Sequence, residues 1–227
     1  KKILLAIALI GLAFAAYFAY FVYNAMLAPN TNFSNDEAYV FISESDTYNE
    51  VREQLMPLLD DIETFDALAK QKKYVNNVKA GKYRITNGMT NNDIINSIRS
   101  NNIPIKLSFN NQNSIEALAG RVAFQIDTDS VSLVKAMTDK LFFEQNGFSE
   151  ATILGMYLPN TYEVFWNTSA EGFRDRMLKE YNRFWTKDRI EKAQAIGMNR
   201  DEVMALASIV YEESKQKAEQ PRIAGVY

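Results

Sequence analysis

The chain has 227 residues, enough for one large or two small domains with a real core. Lys and Arg number 25 and Asp and Glu 28, a formal net charge of -3, which excludes a nucleic-acid binder built on clustered cations. There is no His and no Cys; this removes Ser-His-Asp and Cys-His catalysis, His or Cys metal ligands, disulfides and a lipidated N-terminal Cys, and leaves carboxylates, hydroxyls, Lys, Arg and backbone dipoles.

Lys1 and Lys2 precede Ile3 to Tyr23, 21 residues without a charge. At 1.5 Å per residue the run spans roughly 30 Å, the hydrocarbon thickness of a bilayer. Tyr17, Tyr20 and Tyr23 gather at its far end, where aromatic rings favour the membrane interface. A cleaved signal peptide needs an apolar core of only about 7–15 residues and a small-x-small site; this run is longer and ends in bulky rings. Residues 1–23 are therefore read as an uncleaved transmembrane anchor. Its flanking lysines place the N-terminus in the cytoplasm and the remainder outside. The first residue is Lys rather than Met, and the expectation is a portion of a longer gene product.

Residues 24–37 are polar, with Pro29 and several Asn, and read as a linker. Tyr39 to Ile42 is a short β-type run. Thr47-x-x-Glu50 is a capping-box pattern that opens a helix through Leu55, stopped by Pro57. Ile62, Phe65, Leu68 and Ala69 fall at helical spacing. Gly81 leads into a Tyr83-Arg84-Ile85 strand, and Thr90 caps a helix carrying Ile94, Ile95 and Ile98. Ile103 to Phe109 alternates apolar and polar, the period of a strand. Residues 38–109 thus form one α+β module.

Asn113-x-x-Glu116 predicts the next cap, on a helix with Leu118 and Val122. Asp129 opens another with Val134, Met137 and Leu141 on its buried side. Phe148 to Asn167 reads as irregular and aromatic-rich. Phe173, Met177, Tyr181 and Phe184 stripe a helix over 170–185, and a shorter helix follows Thr186. Asp60-Asp61 and the acids of 127–129 read as solvated surface, and no metal site is expected.

The final helix opens at Asn199, with Glu202 at the third helical position. Val203, Leu206, Ala207, Val210 and Ser214 predict its buried stripe. At 100° per residue Glu213 falls on the edge of that stripe and Glu212 points to water. A carboxylate against an apolar face is desolvated as an anion, which raises its pKa and suits a proton donor. The spacing alone is equally that of a boundary residue paired with Lys or Arg.

Leu206-Ala207-Ser208-Ile209-Val210-Tyr211-Glu212-Glu213-Ser214, with Arg222-Ile223-Ala224-Gly225-Val226-Tyr227, resembles the signature of the endolytic murein transglycosylases, the MltG or YceG-like family. Lys79-Ala80-Gly81-Lys82-Tyr83-Arg84-Ile85 with Gly88-Met89-Thr90 looks like the family's LysM-like segment, and Leu158-Pro159-Asn160-Thr161-Tyr162 like its Pro-Asp-Thr-Tyr segment. The four stretches occur in the family's order. Asn160 stands where many members have Asp, and no Glu precedes Gly155. The family's chain also continues past the position of Tyr227, through Asn-Arg-Leu and Gln-x-Asp-Pro-Thr stretches.

The resemblance implies an α+β fold: a transmembrane helix, a LysM-like module at 38–109, and a mostly helical, partial catalytic domain at 110–227. It implies a membrane-anchored lyase that cuts the MurNAc–GlcNAc β-1,4 bond of peptidoglycan and leaves 1,6-anhydroMurNAc ends. Glu213 matches the catalytic acid. Asn160, Thr161, Tyr162 and Tyr211 are the implied substrate contacts, with turn and core packing as their plainer roles. No cofactor is implied. The implied partners are peptidoglycan strands, membrane lipid and cell-wall synthases, at the cytoplasmic membrane. The alternative is a non-catalytic, membrane-tethered peptidoglycan-binding scaffold.

Overall fold

The computed structural model describes residues 2–227. Lys1 and the side chain of Lys2, on which the expected orientation rests, lie outside the described residues. The fold is mixed α+β with helices predominating, and it divides into two units: residues 1–105 with 165–167, and residues 106–164 with 168–227.

The first unit begins with α1 (Lys2–Met26). Ile3–Met26 has a mean hydropathy of 2.3, is long and apolar enough to cross a membrane, and leaves its large apolar side chains exposed from Ile3 to Tyr23. This is consistent with a single-pass anchor. Strand β1 (Glu37–Ile42) pairs antiparallel with β2 (Gly81–Thr86), in the register Tyr39↔Arg84 and Ile42↔Gly81. Alternation puts Val40 and Ile42 inward with Tyr83 and Ile85, and leaves Tyr39 and Phe41 on the outer face.

Between the strands lie α2 (Tyr48–Leu55) and α3 (Ile62–Gln71), followed after β2 by α4 (Asn91–Ser100). Thr47 and Glu50 form the capping box expected for α2, and Thr90 and Asp93 form one for α4. Asp61 caps α3 by accepting from Glu63 and Thr64 N–H. The core joins Val51, Leu55, Phe65, Leu68, Tyr74, Ile94, Ile95 and Ile98 to the inner face of the sheet. Each such aliphatic or Phe side chain contributes roughly 1.5–3 kcal/mol on burial.

Gly81 sits at φ +151°, and a Cβ there would lie 2.5 Å from Asn102 Cγ. The close approach has a use. Asn102 Oδ1 accepts from Lys82 N–H at 3.0 Å, and Asn102 Nδ2 donates to Asn167 Oδ1 at 2.9 Å.

In the second unit, β3 (Pro104–Phe109) pairs with β4 (Asn160–Phe165). The helices are α5 (Ile115–Ala123), α6 (Ser130–Met137), α7 (Lys140–Gln145), α8 (Ala170–Phe184), α9 (Lys187–Ala195), α10 (Arg200–Glu213) and α11 (Gln220–Ala224). Leu107, Phe109, Leu118, Val122, Leu133, Met137, Phe173 and Met177 are buried at its core.

Four sequence expectations change here. The stretch 148–167 is not irregular throughout: it holds a 3-10 turn at Ile153–Met156 and then β4, whose Tyr162 and Val164 face inward. Ser114, not Asn113, caps α5, accepting from Ala117 N–H. The helix read from Asp129 through Leu141 is two helices. Asp139 takes the Leu141 and Phe142 N–H groups with its own carboxylate and starts α7 afresh. The buried residues of α6 are then Leu133, Ala136 and Met137, Val134 is only partly covered, and Leu141 is 66% exposed.

Candidate functional site

Helix α10 is set by its first turn. Asn199 accepts from Glu202 N–H, and the Glu202 carboxylate accepts from Asn199 N–H at 2.7 Å. Arg200 stands over the Trp185 ring. The 3-10 turn at 153–156 packs on α10, with Gly155 facing Met204. Buried Ile153 and Met156 hold the turn from beneath.

A cleft of about 480 Å³ opens between α10, this turn and the loop after β3, within the range of small-ligand sites. Asn110 to Asn113, four consecutive amide side chains, form one wall; Asp201, Ser208 and Glu212 of α10 form another; Tyr157 and Pro159 also line it. Gln112 Nε2 donates to Asn110 Oδ1 at 2.7 Å, which steadies the amide wall. The Tyr157 ring stacks on Phe173 with centroids 6.0 Å apart, and burial pushes its hydroxyl pKa up. Amides, a hydroxyl and the carboxylates of Asp201 and Glu212 in one concave site can hydrogen-bond a polyhydroxylated, acetamido-bearing ligand and offer it acid–base groups.

Glu212 is exposed, yet it borders the cleft and pairs with Lys215 Nζ at 3.1 Å. The same ammonium lies 3.7 Å from the centroid of the half-buried Tyr211 ring. Glu213 is also exposed; its Oε1 accepts from the Tyr227 hydroxyl at 3.4 Å. The expected stripe is therefore thinner than its spacing implies. Val210 is buried, Val203, Leu206 and Ser214 are partly covered, and Ala207 is open, because α10 is covered only in part, by the 153–156 turn, α9 and α11. The apolar cover invoked for Glu213 is not there, and its case rests on the sequence resemblance alone.

Asn160 and Thr161 are exposed at the start of β4. Asn160 Oδ1 accepts from Thr161 N–H, and the Thr161 and Ser108 hydroxyls lie 3.1 Å apart. Tyr162 is 6% exposed, its ring tilted against Phe109 and its hydroxyl donating to Leu158 O. Burial pushes its pKa up to about 12. It holds β4 in the core and offers no open ring face to a sugar. The residues lining the cleft include none of the expected group, Glu213, Asn160, Thr161, Tyr162 and Tyr211, and include instead Glu212, the carboxylate expected to point to water. The amide wall went unread in the sequence, although four adjacent Asn and Gln after a strand are a visible signal. Asp61 and Asp129 serve as helix caps.

No curated protein matches the chain. A crystal structure of a yceG-like protein from Listeria monocytogenes is similar over 82% of this chain and 67% of that one, at 20% identity and a TM-score of 0.48. The YceG-like family model matches residues 40–227, most of the chain. On that match the chain belongs to the YceG-like family, the MltG family.

Proposed function

We propose that the protein is a lytic transglycosylase that cleaves the MurNAc–GlcNAc β-1,4 bond of peptidoglycan within the strand. The reading has α1 as a cytoplasmic-membrane anchor, its N-terminus inside and the rest of the chain outside. Residues 38–109 act as a LysM-like module that contacts or positions glycan; the strand–helix–helix–strand order of β1, α2, α3 and β2 supports this. Residues 110–227 belong to the catalytic domain. The observation that carries the proposal is the polar cleft beside the acidic end of α10, in a chain of this family.

Glu213 is the proposed acid. Its carboxyl proton goes to the glycosidic oxygen as the C1–O bond breaks. The C6 hydroxyl of the same MurNAc then closes on C1, and its proton returns to the carboxylate. The step consumes no water and needs no second, nucleophilic carboxylate, unlike a retaining hydrolase. The amide wall Asn110 to Asn113 orients the sugar.

A second reading gives the acid to Glu212, because Glu212 borders the cleft. Glu213→Gln and Glu212→Gln in the full-length protein separate the two. Removing the proton donor should cost about 10²–10⁴-fold in anhydro-muropeptide release, followed by mass spectrometry of digested sacculi. Loss confined to Glu213→Gln supports the first reading, and loss confined to Glu212→Gln the second. Full activity in both variants would sink the acid–base proposal.

A further inference from the structure

We propose that the segment after the apolar helix is a rigid clamp, not a free tether, and that it seats the first unit on the lipid headgroup surface. The proposal rests on reading α1 as a bilayer span.

Packing begins before α1 ends. Ala25 is buried, and Met26 and Phe33 pack against the core of the first unit. Leu27 and Ala28 N–H both donate to Tyr23 O and close the helix. Asn30 is then 4% exposed. Its Nδ2 donates to Asp61 O at 2.8 Å and to Asn91 Oδ1 at 2.6 Å, and its Oδ1 accepts from Asp61 N–H at 2.8 Å. The backbone adds Asn30 N–H to Met89 O and Asn32 N–H to Leu58 O, with bridges Pro29↔Thr90 and Thr31↔Leu59. Gly88 N–H donates to Thr31 Oγ1, and Asn87 Nδ2 to Phe33 O.

This network is costly to open. Asn91 is fully buried, and a buried amide needs its partners. Undocking Asn30 would leave the buried Asn91 Oδ1 without its donor and break the bond to Asp61 N–H.

The geometry then fixes the height of the unit. Asn30 is four steps along the chain from Met26, so it lies within about 14 Å of the helix end. The headgroup layer is roughly 5–8 Å deep on each side of the hydrocarbon. The turns at 58–61 and 87–91, hydrogen-bonded to residues 29–33, are therefore held against it. A solvated coil over 27–36 would instead wander by about 17 Å r.m.s. in any direction.

The chain has no Cys, so a single introduced thiol can be labelled cleanly. The full-length protein in lipid vesicles, labelled at Asp60→Cys, is read by energy transfer to headgroup acceptors. It is compared with the same protein carrying a long Gly-Ser insertion between Leu27 and Ala28, and with Asn30→Ala. The clamp predicts a short, narrow distance distribution, at least about twofold broader after the insertion, with Asn30→Ala between. A chain that fails to float with vesicles overturns the span reading and the proposal with it. A chain that floats, but whose uninserted form is already as broad as the inserted one, overturns the clamp alone.

Discussion

Gly81 and Asn102 form a pair in which each residue explains the other. Only a residue without Cβ leaves room for the Asn102 side chain at this point, and Asn102 uses that room to hold Lys82 N–H and Asn167. Gly81→Ala should cost about 1–3 kcal/mol, from the positive φ and the displaced amide together. Adding Asn102→Ala should recover part of that loss, since the clash goes but the backbone strain stays. Denaturant midpoints of the single and double variants measure both. Tyr162 makes a different trade. Tyr162→Phe keeps the packing on Phe109 and leaves Leu158 O without its donor. It should destabilise by about 1 kcal/mol and leave glycan cleavage unchanged, because the ring faces the core. A large loss of activity from this variant would return Tyr162 to the substrate site.

At the scale of elements, α10 depends on its cap. Asn199→Ala removes the acceptor for Glu202 N–H and should cost about 0.5–2 kcal/mol, with faster hydrogen exchange confined to the first turn of the helix. Such caps are what the sequence shows most clearly: Thr47, Thr90, Asp129, Thr186 and Asn199 all start helices where side-chain chemistry places them. A capping bond is local, so four residues suffice to read it. β4 was hidden for the opposite reason. Its partner β3 lies some fifty residues earlier, and Asn160 to Phe165 shows inward faces only at Tyr162 and Val164. The α6–α7 break also escaped, since apolar residues continue at helical spacing across Asp139 while that side chain competes for the next turn's N–H groups. The cleft was least legible. It joins the 110–113 loop, the 153–156 turn and α10, and nothing in any one segment announces the other two. Glu213 was found by resemblance, whereas the burial argument for it failed because helical spacing says which residues share a face, not whether anything covers that face.

For the whole molecule, buried tyrosines set an alkaline limit. Burial raises the pKa of Tyr48, Tyr74, Tyr83, Tyr157, Tyr162 and Tyr181, and carries Tyr162 to about 12. Unfolded tyrosines titrate near about 10. Between those values the unfolded chain holds fewer protons than the folded one, so stability falls as pH rises. It should be level up to about pH 9.5 and then drop towards pH 12, with tyrosinate absorbance rising together with loss of helical circular dichroism. Absorbance that rose fully before any unfolding would show these rings to be accessible.

The central claim is cleavage without water, by one carboxylate and the sugar's own hydroxyl. Digestion of purified sacculi by the full-length protein in ¹⁸O-enriched water tests it directly, with the product ends read by mass spectrometry. The account predicts 1,6-anhydroMurNAc ends, lighter than hydrolysed ends by one water and free of ¹⁸O. Reducing ends that carry ¹⁸O would mark the protein as a hydrolase and contradict it.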